Sequence, residues 1–201
     1  MMRPMLDFWF DFASSYSYIA SQRVEALCKE AGVKLRWRPF LLGPIFTSQL
    51  GIKDSPFNTQ PVRGRYMWRD VERLCEKYSL PFKRPETFPQ RSILAARVAC
   101  VALEKPWCAD FIRGVFRAEF GEGRDIATHA VLGDVLSSIG VDPAKVFPEA
   151  ELDPVKRQLR AFTDEATALG VFGAPNAVIG AELFFGQDRL EDAIAWAKKL
   201  G

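Results

Sequence analysis

The chain has 201 residues, of which 48% are hydrophobic and 26% charged, and its formal net charge is only +2. These values are ordinary for a globular protein, and the interspersed charges give no sign of a nucleic-acid-binding surface. No apolar run approaches the roughly 20 residues that span a bilayer, and Asp7 and Asp11 interrupt the apolar N-terminal stretch. We therefore expect a cytoplasmic protein that binds neither nucleic acid nor membrane.

The N-terminal stretch has the pattern of a strand that runs directly into a helix. Residues 6–12 are aromatic and apolar apart from two aspartates, which predicts a strand. Small hydroxyl residues follow, and apolar positions then recur at helical spacing, which predicts a helix over residues 15–31. Ser14 stands at the N-cap position of this helix. Most serines in that position only cap, but the unsatisfied N–H groups of a helix start also attract anions.

The next segments complete a β-α-β unit and then become irregular. Gly32 ends the first helix, and residues 33–39 alternate as in a second strand, parallel to the first. Residues 40–60 are rich in Gly, Pro, Ser and Asn and have no clear period, which predicts a long loop. Helical patterns fill most of the chain from there to residue 169. The predicted helices are 62–78, 90–104, 106–120, 128–139 and 154–169, the last capped by Asp153.

The C-terminal part has the pattern of a hairpin followed by a helix. Residues 175–179 and 182–185 predict two short strands, which Gly180 and Ala181 join. Residues 190–200 predict a closing amphipathic helix. The order of elements is therefore β-α-β, a block of helices, and β-β-α.

The cysteines and the single histidine exclude several kinds of site. The four cysteines form neither a CxxC pair nor a metal-ligand spacing, and we interpret them as buried structural thiols: Cys28, Cys75, Cys100 and Cys108. His129 cannot build a multi-histidine zinc site, and it lies at a predicted helix start. A serine nucleophile would need a nearby base, and the chain has no G-x-S-x-G motif. We expect no metal and no serine-hydrolase chemistry.

Four motifs, in order along the whole chain, carry a resemblance to a known family. They are DFASSYSY (11–18), RGRYMWRD (63–70), GVFGAP (170–175) and FGQDRL (185–190). Together they resemble 2-hydroxychromene-2-carboxylate isomerase and its relatives, the kappa-class glutathione transferases. The order of elements resembles the thioredoxin fold, whose redox members carry C-x-x-C where this chain has Ser14-Ser15-Tyr16-Ser17. Serines cannot perform dithiol exchange, so that activity is excluded at this site.

The resemblance implies an α/β fold with two parts. Residues 1–42 and 153–201 would form a thioredoxin-like β-α-β … β-β-α domain, and residues 43–152 an inserted all-helical domain. It also implies a homodimer. The chain departs from the family in two places, because Ser15 replaces the usual Pro and Arg63 the usual Lys, and both changes bear on substrate choice.

The resemblance implies a glutathione site organised around Ser14, the one catalytic residue. Ala174 would offer its N–H and C=O to the cysteinyl backbone of glutathione, beside a cis Pro175. Four side chains would hold the ends of the tripeptide: Asn58 and Arg63 the peptide amide and the glycine carboxylate, Gln187 and Asp188 the γ-glutamyl group. The alternatives are helix capping for Asp188 and a solvated helix face for Arg63.

Aromatic side chains between the sheet and the helical block would wall a substrate pocket. The candidates are Tyr16, Trp37, Phe40 and Tyr66, for each of which core packing is the alternative. The predicted activity is a glutathione-dependent cis–trans isomerisation of a small aromatic 2-oxo acid. Two alternatives stay open: a kappa-like transferase that conjugates glutathione to electrophiles, and a non-catalytic protein that binds a thiol peptide.

Overall fold

The structure is a computed structural model that describes residues 4–200. The strands are β1 (Met5–Phe10), β2 (Lys34–Pro39), β3 (Asn176–Ile179) and β4 (Glu182–Phe185). The helices are α1 (Ser15–Ser21), α2 (Val24–Ala31), α3 (Leu42–Ile45), α4 (Pro56–Thr59), α5 (Pro61–Lys77), α6 (Ile93–Ala102), α7 (Cys108–Phe116), α8 (His129–Ser138), α9 (Pro143–Ala150), α10 (Asp153–Ala168) and α11 (Leu190–Leu200). Two π-helical turns, Phe46–Leu50 and Arg117–Gly121, follow α3 and α7, and a 3₁₀ turn, Gln187–Arg189, precedes α11.

The two ends of the chain build one four-stranded sheet in the order β2-β1-β3-β4. Strand β1 pairs with β2 in parallel and with β3 antiparallel, and β3 and β4 form the antiparallel hairpin. The predicted parallel β-α-β unit and the predicted hairpin are both confirmed. Because β1 is central, its C-terminal end opens toward α1 beside the start of β3, and this is where Ser14 lies.

Both faces of the sheet are covered by aromatic packing. On one face, Phe8 and Phe10 meet Trp37 edge-on, and Phe10 also contacts Phe116 of α7. On the other face, Trp9 packs edge-on against Phe40 and against Phe162 of α10. Side chains of a strand alternate between faces, so β1 fills two cores with successive residues.

The predicted first helix is two helices, because the chain turns between α1 and α2. Ser21 donates its hydroxyl hydrogen to the carbonyl of Tyr18 at 2.8 Å, and Gln22 donates from Nε2 to the carbonyl of Arg113 at 3.2 Å. These contacts lie where α1 ends, after seven residues. Apolar periodicity continues across the break, which is why the sequence predicts one helix.

Three other predictions of local structure need correction. The predicted loop 40–60 contains α3, a π-helical turn and α4, pieces too short to show a period. Helix α9 is absent from the prediction and carries Pro148 in its interior. Asp153 is the first residue of α10, whose N-cap is Leu152 and makes no side-chain cap hydrogen bond.

The helices between β2 and β3 pack on the sheet domain as well as on one another. Helix α1 contacts α5 and α7, and α10 contacts both β2 and α6. One hydrophobic cluster runs from β1 through α1 into α5 to α8. The domain boundaries predicted from the sequence stay a prediction. Within residues 4–200, no helix combines the length and apolarity that crossing a bilayer requires.

Candidate active site

Ser14 joins the start of α1 to a loop that is distant in sequence. Its backbone is extended, and its Oγ accepts the N–H of Ser17 at 3.2 Å, as an N-cap does. The same hydroxyl donates to the carbonyl of Ala174 at 3.0 Å. Ser14 and Ala174 are each 8% exposed. The predicted cap is confirmed, and the second contact sets Ser14 against the segment that the sequence assigned to the same site.

Asp11 holds the turn between β1 and α1 in place. Its carboxylate accepts hydrogen bonds from Ala13 N at 3.0 Å, Leu42 N at 2.7 Å and Ser92 Oγ at 2.7 Å. Burial raises the pKa of Asp11, although these hydrogen bonds oppose that shift. From the sequence, Asp11 is only a charge within a predicted strand. Its role as a tie to α3 and to the residue preceding α6 depends on contacts that only the fold creates.

The loop before β3 is fixed on both sides of Ala174. The Ala174–Pro175 peptide bond is cis, as the resemblance implied. Asn176 Nδ2 donates to the carbonyl of Gly173 at 2.6 Å, and the N–H of Gly186 donates to the carbonyl of Pro175 at 3.0 Å. The carbonyl of Ala174 therefore has a defined position relative to Ser14.

Tyr16 connects the first turn of α1 to α5 through a side-chain hydrogen bond. Its hydroxyl donates to Asp70 Oδ2 at 3.0 Å. Burial, then the charge and hydrogen bond of Asp70, then the nearby Tyr66 and Asp188 all raise the pKa of Tyr16. The hydroxyl is thus protonated and remains a donor at neutral pH.

Two of the predicted glutathione ligands are engaged with other parts of the chain. Asn58 donates from Nδ2 to Asp54 Oδ1 at 3.0 Å and to the carbonyl of Phe88 at 2.8 Å. Gln187 is buried, and its side-chain and main-chain oxygens accept hydrogen bonds from Arg23 at 3.3 and 3.4 Å. Both residues thus stabilise loops around the site in this structure.

Arg63 and Tyr66 line an open pocket of about 540 Å³ at the start of α5, with Gln60, Pro61 and Val62. The guanidinium of Arg63 lies 5.7 Å from the ring centroid of Phe57. Among residues 4–200 no carboxylate forms an ion pair with it. This charge is therefore available to an anionic ligand. Asp188 carries an exposed carboxylate, 3.7 Å from Arg189.

Trp37 and Phe40 do not belong to a pocket. Trp37 packs edge-on against Phe8 and Phe10, and Phe40 is completely buried against Trp9. The structure corrects their assignment to a substrate wall, because both rings fill the cores on the two faces of the sheet. Tyr16 and Tyr66 are the two aromatic candidates with surface exposure.

An aromatic pair beside the cis-proline loop is missing from the sequence-based site. Phe172 is 50% and Phe185 43% exposed, and their ring centroids are 4.6 Å apart. Gly173 lies under them, and a Cβ added there would stand 2.7 Å from Phe185 Cε2. Both phenylalanines occur in motifs quoted above, but their pairing becomes visible only when β3 and β4 are set side by side.

The chemistry open to this site is limited by what the site contains. Ser14 offers one hydroxyl donor, and all four cysteines are buried elsewhere as free thiols, which confirms their structural interpretation. His129 begins α8, as predicted. Within the described part of the chain no cluster of three His, Cys, Asp or Glu residues could hold a metal ion. The described residues beside Ser14 include no thiol for disulfide exchange.

Comparisons with known proteins agree with this description. The DSBA-like thioredoxin domain matches residues 5–194. The chain is 26% identical over 193 residues to 2-hydroxychromene-2-carboxylate isomerase of Sphingobium xenophagum, covering 94% of this chain and 96% of that protein. It is 26% identical over 208 residues to glutathione S-transferase kappa 2 of Caenorhabditis elegans, covering 94% and 89%. A solved structure of 2-hydroxychromene-2-carboxylate isomerase superposes with a TM-score of 0.87 at 24% identity, covering 98% of this chain and 95% of the other, which establishes the fold.

Proposed function

The chain belongs to the DSBA-like thioredoxin domain family, and within it we propose that this protein is a glutathione-dependent cis–trans isomerase of a small aromatic 2-oxo acid. The observation that supports this most strongly is the contact of the Ser14 hydroxyl with the Ala174 carbonyl, at 3.0 Å, beside the cis-proline. It sets a hydroxyl where disulfide-exchanging relatives carry a cysteine. The similarity to named isomerases, which extends over nearly the whole chain, supports the reaction class.

We propose that three groups hold a peptide that carries a thiol. The Ala174 carbonyl suits a peptide N–H, the Arg63 guanidinium suits a carboxylate, and the exposed Asp188 carboxylate suits an ammonium group. When bound, glutathione would supply a thiolate that adds reversibly to a conjugated double bond, allows rotation and leaves unchanged. The protein's part is to bind the peptide, hold the sulfur beside Ser14 and keep that sulfur ionised.

The Ser14 hydroxyl would make the largest contribution to lowering the pKa of the bound thiol. A free thiol has a pKa near 8.5, so only a few per cent is thiolate at neutral pH. A hydrogen bond from a hydroxyl to an anion contributes about 1.5–3 kcal/mol, which corresponds to roughly one to two pKa units. Helix α1 has only seven residues, so its macrodipole adds at most about 0.3–1 kcal/mol. We infer that the hydroxyl decides whether the sulfur is ionised at neutral pH.

The first prediction concerns Ser14. Ser14→Ala should lower glutathione-dependent isomerisation of 2-hydroxychromene-2-carboxylate by about 10- to 100-fold, since the hydroxyl contributes about 1.5–3 kcal/mol. The measurement is a spectrophotometric assay with and without glutathione. Ser17→Ala is the matched control, because the Ser17 Oγ is buried without a hydrogen-bond partner in the described chain. Equal rates with and without glutathione, or full activity in Ser14→Ala, would contradict the proposal.

A kappa-like transferase is the second candidate function. It uses the same site, and a kappa-class protein matches this chain at the same identity as the isomerase does. The two functions differ in what happens to glutathione, because a transferase consumes it and an isomerase returns it. Measuring glutathione before and after complete turnover separates them. Stoichiometric loss of glutathione with formation of a thioether would establish the transferase.

A further inference from the structure

The Ser14 hydroxyl has a single hydrogen, and the structure shows where it is directed. The side chain donates to the carbonyl of Ala174 at 3.0 Å, between two residues that are each 8% exposed. A hydroxyl that donates to a carbonyl cannot donate the same hydrogen to a sulfur anion. The hydroxyl must therefore leave Ala174 before it can stabilise a thiolate.

Releasing the hydroxyl has a consequence for Ala174. Among residues 4–200, Ser14 is the one donor to the Ala174 carbonyl. Ala174 is only 8% exposed, so water reaches its carbonyl poorly and the loss of its donor costs free energy. Rotation of the hydroxyl is thus unfavourable unless another N–H or O–H takes its place.

We propose that a thiol ligand with a peptide N–H replaces Ser14 as the donor to Ala174, and that this exchange frees the Ser14 hydroxyl to donate to the ligand's sulfur. The inference rests on the proposed function and describes how the same site is controlled. Recognition of the peptide backbone and ionisation of the thiol become one coupled event. The ligand class is therefore thiols that carry a backbone N–H near the sulfur, and simple thiols are left un-ionised.

The exchange needs almost no movement of heavy atoms. Ser14 Oγ is held by the N–H of Ser17 at 3.2 Å, so its hydrogen can turn about the Cβ–Oγ bond while the oxygen stays in place. The carbonyl of Ala174 is fixed because the residues on either side, Gly173 and Pro175, each accept a hydrogen bond through their own carbonyls. Both oxygens are prepositioned, and only a proton changes its direction.

The carbonyl of Ala174 can be observed directly. Ala174–Pro175 is the one Ala-Pro step in the sequence, so labelling alanine with ¹³C at the carbonyl and proline with ¹⁵N isolates its signal. Ser14→Ala should shift this carbonyl resonance in the ligand-free protein, where the hydroxyl is bonded to it. With saturating glutathione, the resonance should be the same in Ser14→Ala and in the wild type. An equal effect of the substitution in both states would overturn the exchange. Ser17→Ala should leave the resonance unchanged in both states.

A second experiment varies the ligand instead of the protein. In an ester analogue of glutathione, an oxygen replaces the N–H of the cysteinyl residue and the thiol is kept. Ultraviolet titration of the bound thiolate should give a pKa that is lower for glutathione than for the ester by about one unit, a tenfold change in ionisation. In Ser14→Ala this difference should disappear.

The outcomes separate the exchange from the proposed function. If glutathione binds with a lowered thiol pKa and the ester shows the same lowering, the exchange is wrong and the glutathione site remains. If glutathione does not bind, or binds with an unshifted thiol, the proposed function and the exchange both fail. If the ester does not bind, the exchange is tested by the carbonyl resonance of Ala174, compared between Ser14→Ala and the wild type with and without glutathione.

Discussion

The roles of single residues in this protein depend on their tertiary contacts. Ser14 is an ordinary N-cap by its sequence position, yet its hydroxyl bridges two segments 160 residues apart. Asp11 shows the same principle, because its three hydrogen bonds come from different parts of the chain. The environment of each side chain, more than its type, decides whether it caps a helix, connects distant segments or binds a ligand.

Glu119 is a carboxyl placed where a charge is unfavourable. It is completely buried in the π-helical turn after α7, and neither carboxylate oxygen has a hydrogen-bond partner in the described chain. Burial, followed by the charges of Asp11 and Asp125, raises the pKa of Glu119 well above its ordinary value. A carboxyl with a raised pKa is held protonated by the fold, because an unpaired buried charge is strongly unfavourable.

The second prediction follows from this shift. The folded state binds a proton more tightly than the unfolded state, so the contribution of Glu119 to stability is complete below its unfolded pKa and is lost as the pH rises toward its folded pKa. Glu119→Gln stays neutral, so its free energy of unfolding should exceed that of the wild type increasingly as the pH rises to neutral. Urea unfolding across this range is the measurement. Glu149→Gln, on the exposed surface, should show no such trend.

Among the elements, the short ones define the site. Helix α1 has only seven residues, and it contacts α5 and the 3₁₀ turn before α11. The cis-proline loop and β4 meet at the aromatic pair Phe172 and Phe185. The candidate site is therefore assembled from the ends of elements, where a strand or helix stops.

The third prediction tests the contact between the loop and β4. Gly173→Ala should lower the free energy of unfolding by at most about 1 kcal/mol, since the new Cβ would stand 2.7 Å from Phe185 Cε2, at the end of a half-exposed ring that can move aside. Chemical denaturation measures this loss. In a Phe185→Ala background the same substitution should cost much less, because the ring that it meets is gone. A loss of the same size in both backgrounds would show that the glycine acts through its backbone.

At the scale of the whole molecule, the sheet and the helical block share the larger of two hydrophobic clusters. The cysteines lie within it, and burial raises the pKa of Cys28 to about 11 and those of Cys75, Cys100 and Cys108 to about 12. A thiol with a raised pKa has little reactive thiolate at neutral pH.

The fourth prediction is that the native protein resists thiol modification. None of the four cysteines should react with an aromatic disulfide reagent at neutral pH in the time that unfolded chains react completely. Counting the thiols released before and after denaturation is the measurement. Rapid reaction of one cysteine in the native state would show that its part of the core opens to solvent.

The sequence by itself determined the coarse order of β-α-β, helical block and β-β-α, the parallel and hairpin pairings, and the cap at Ser14, whereas the segments that meet at Ser14 were implied by the family resemblance. These features are predictable because alternation, helical periodicity, Gly and Pro act over a few residues. Only the tertiary structure decided that α1 ends early, that Trp37 and Phe40 are core, and that Asn58 and Gln187 already have partners. The hydrogen bond between Ser14 and Ala174 is likewise a feature that only the tertiary structure decided. The reason is physical: hydrogen bonding and burial depend on which distant residues the fold brings within a few ångströms, and no local pattern encodes that proximity.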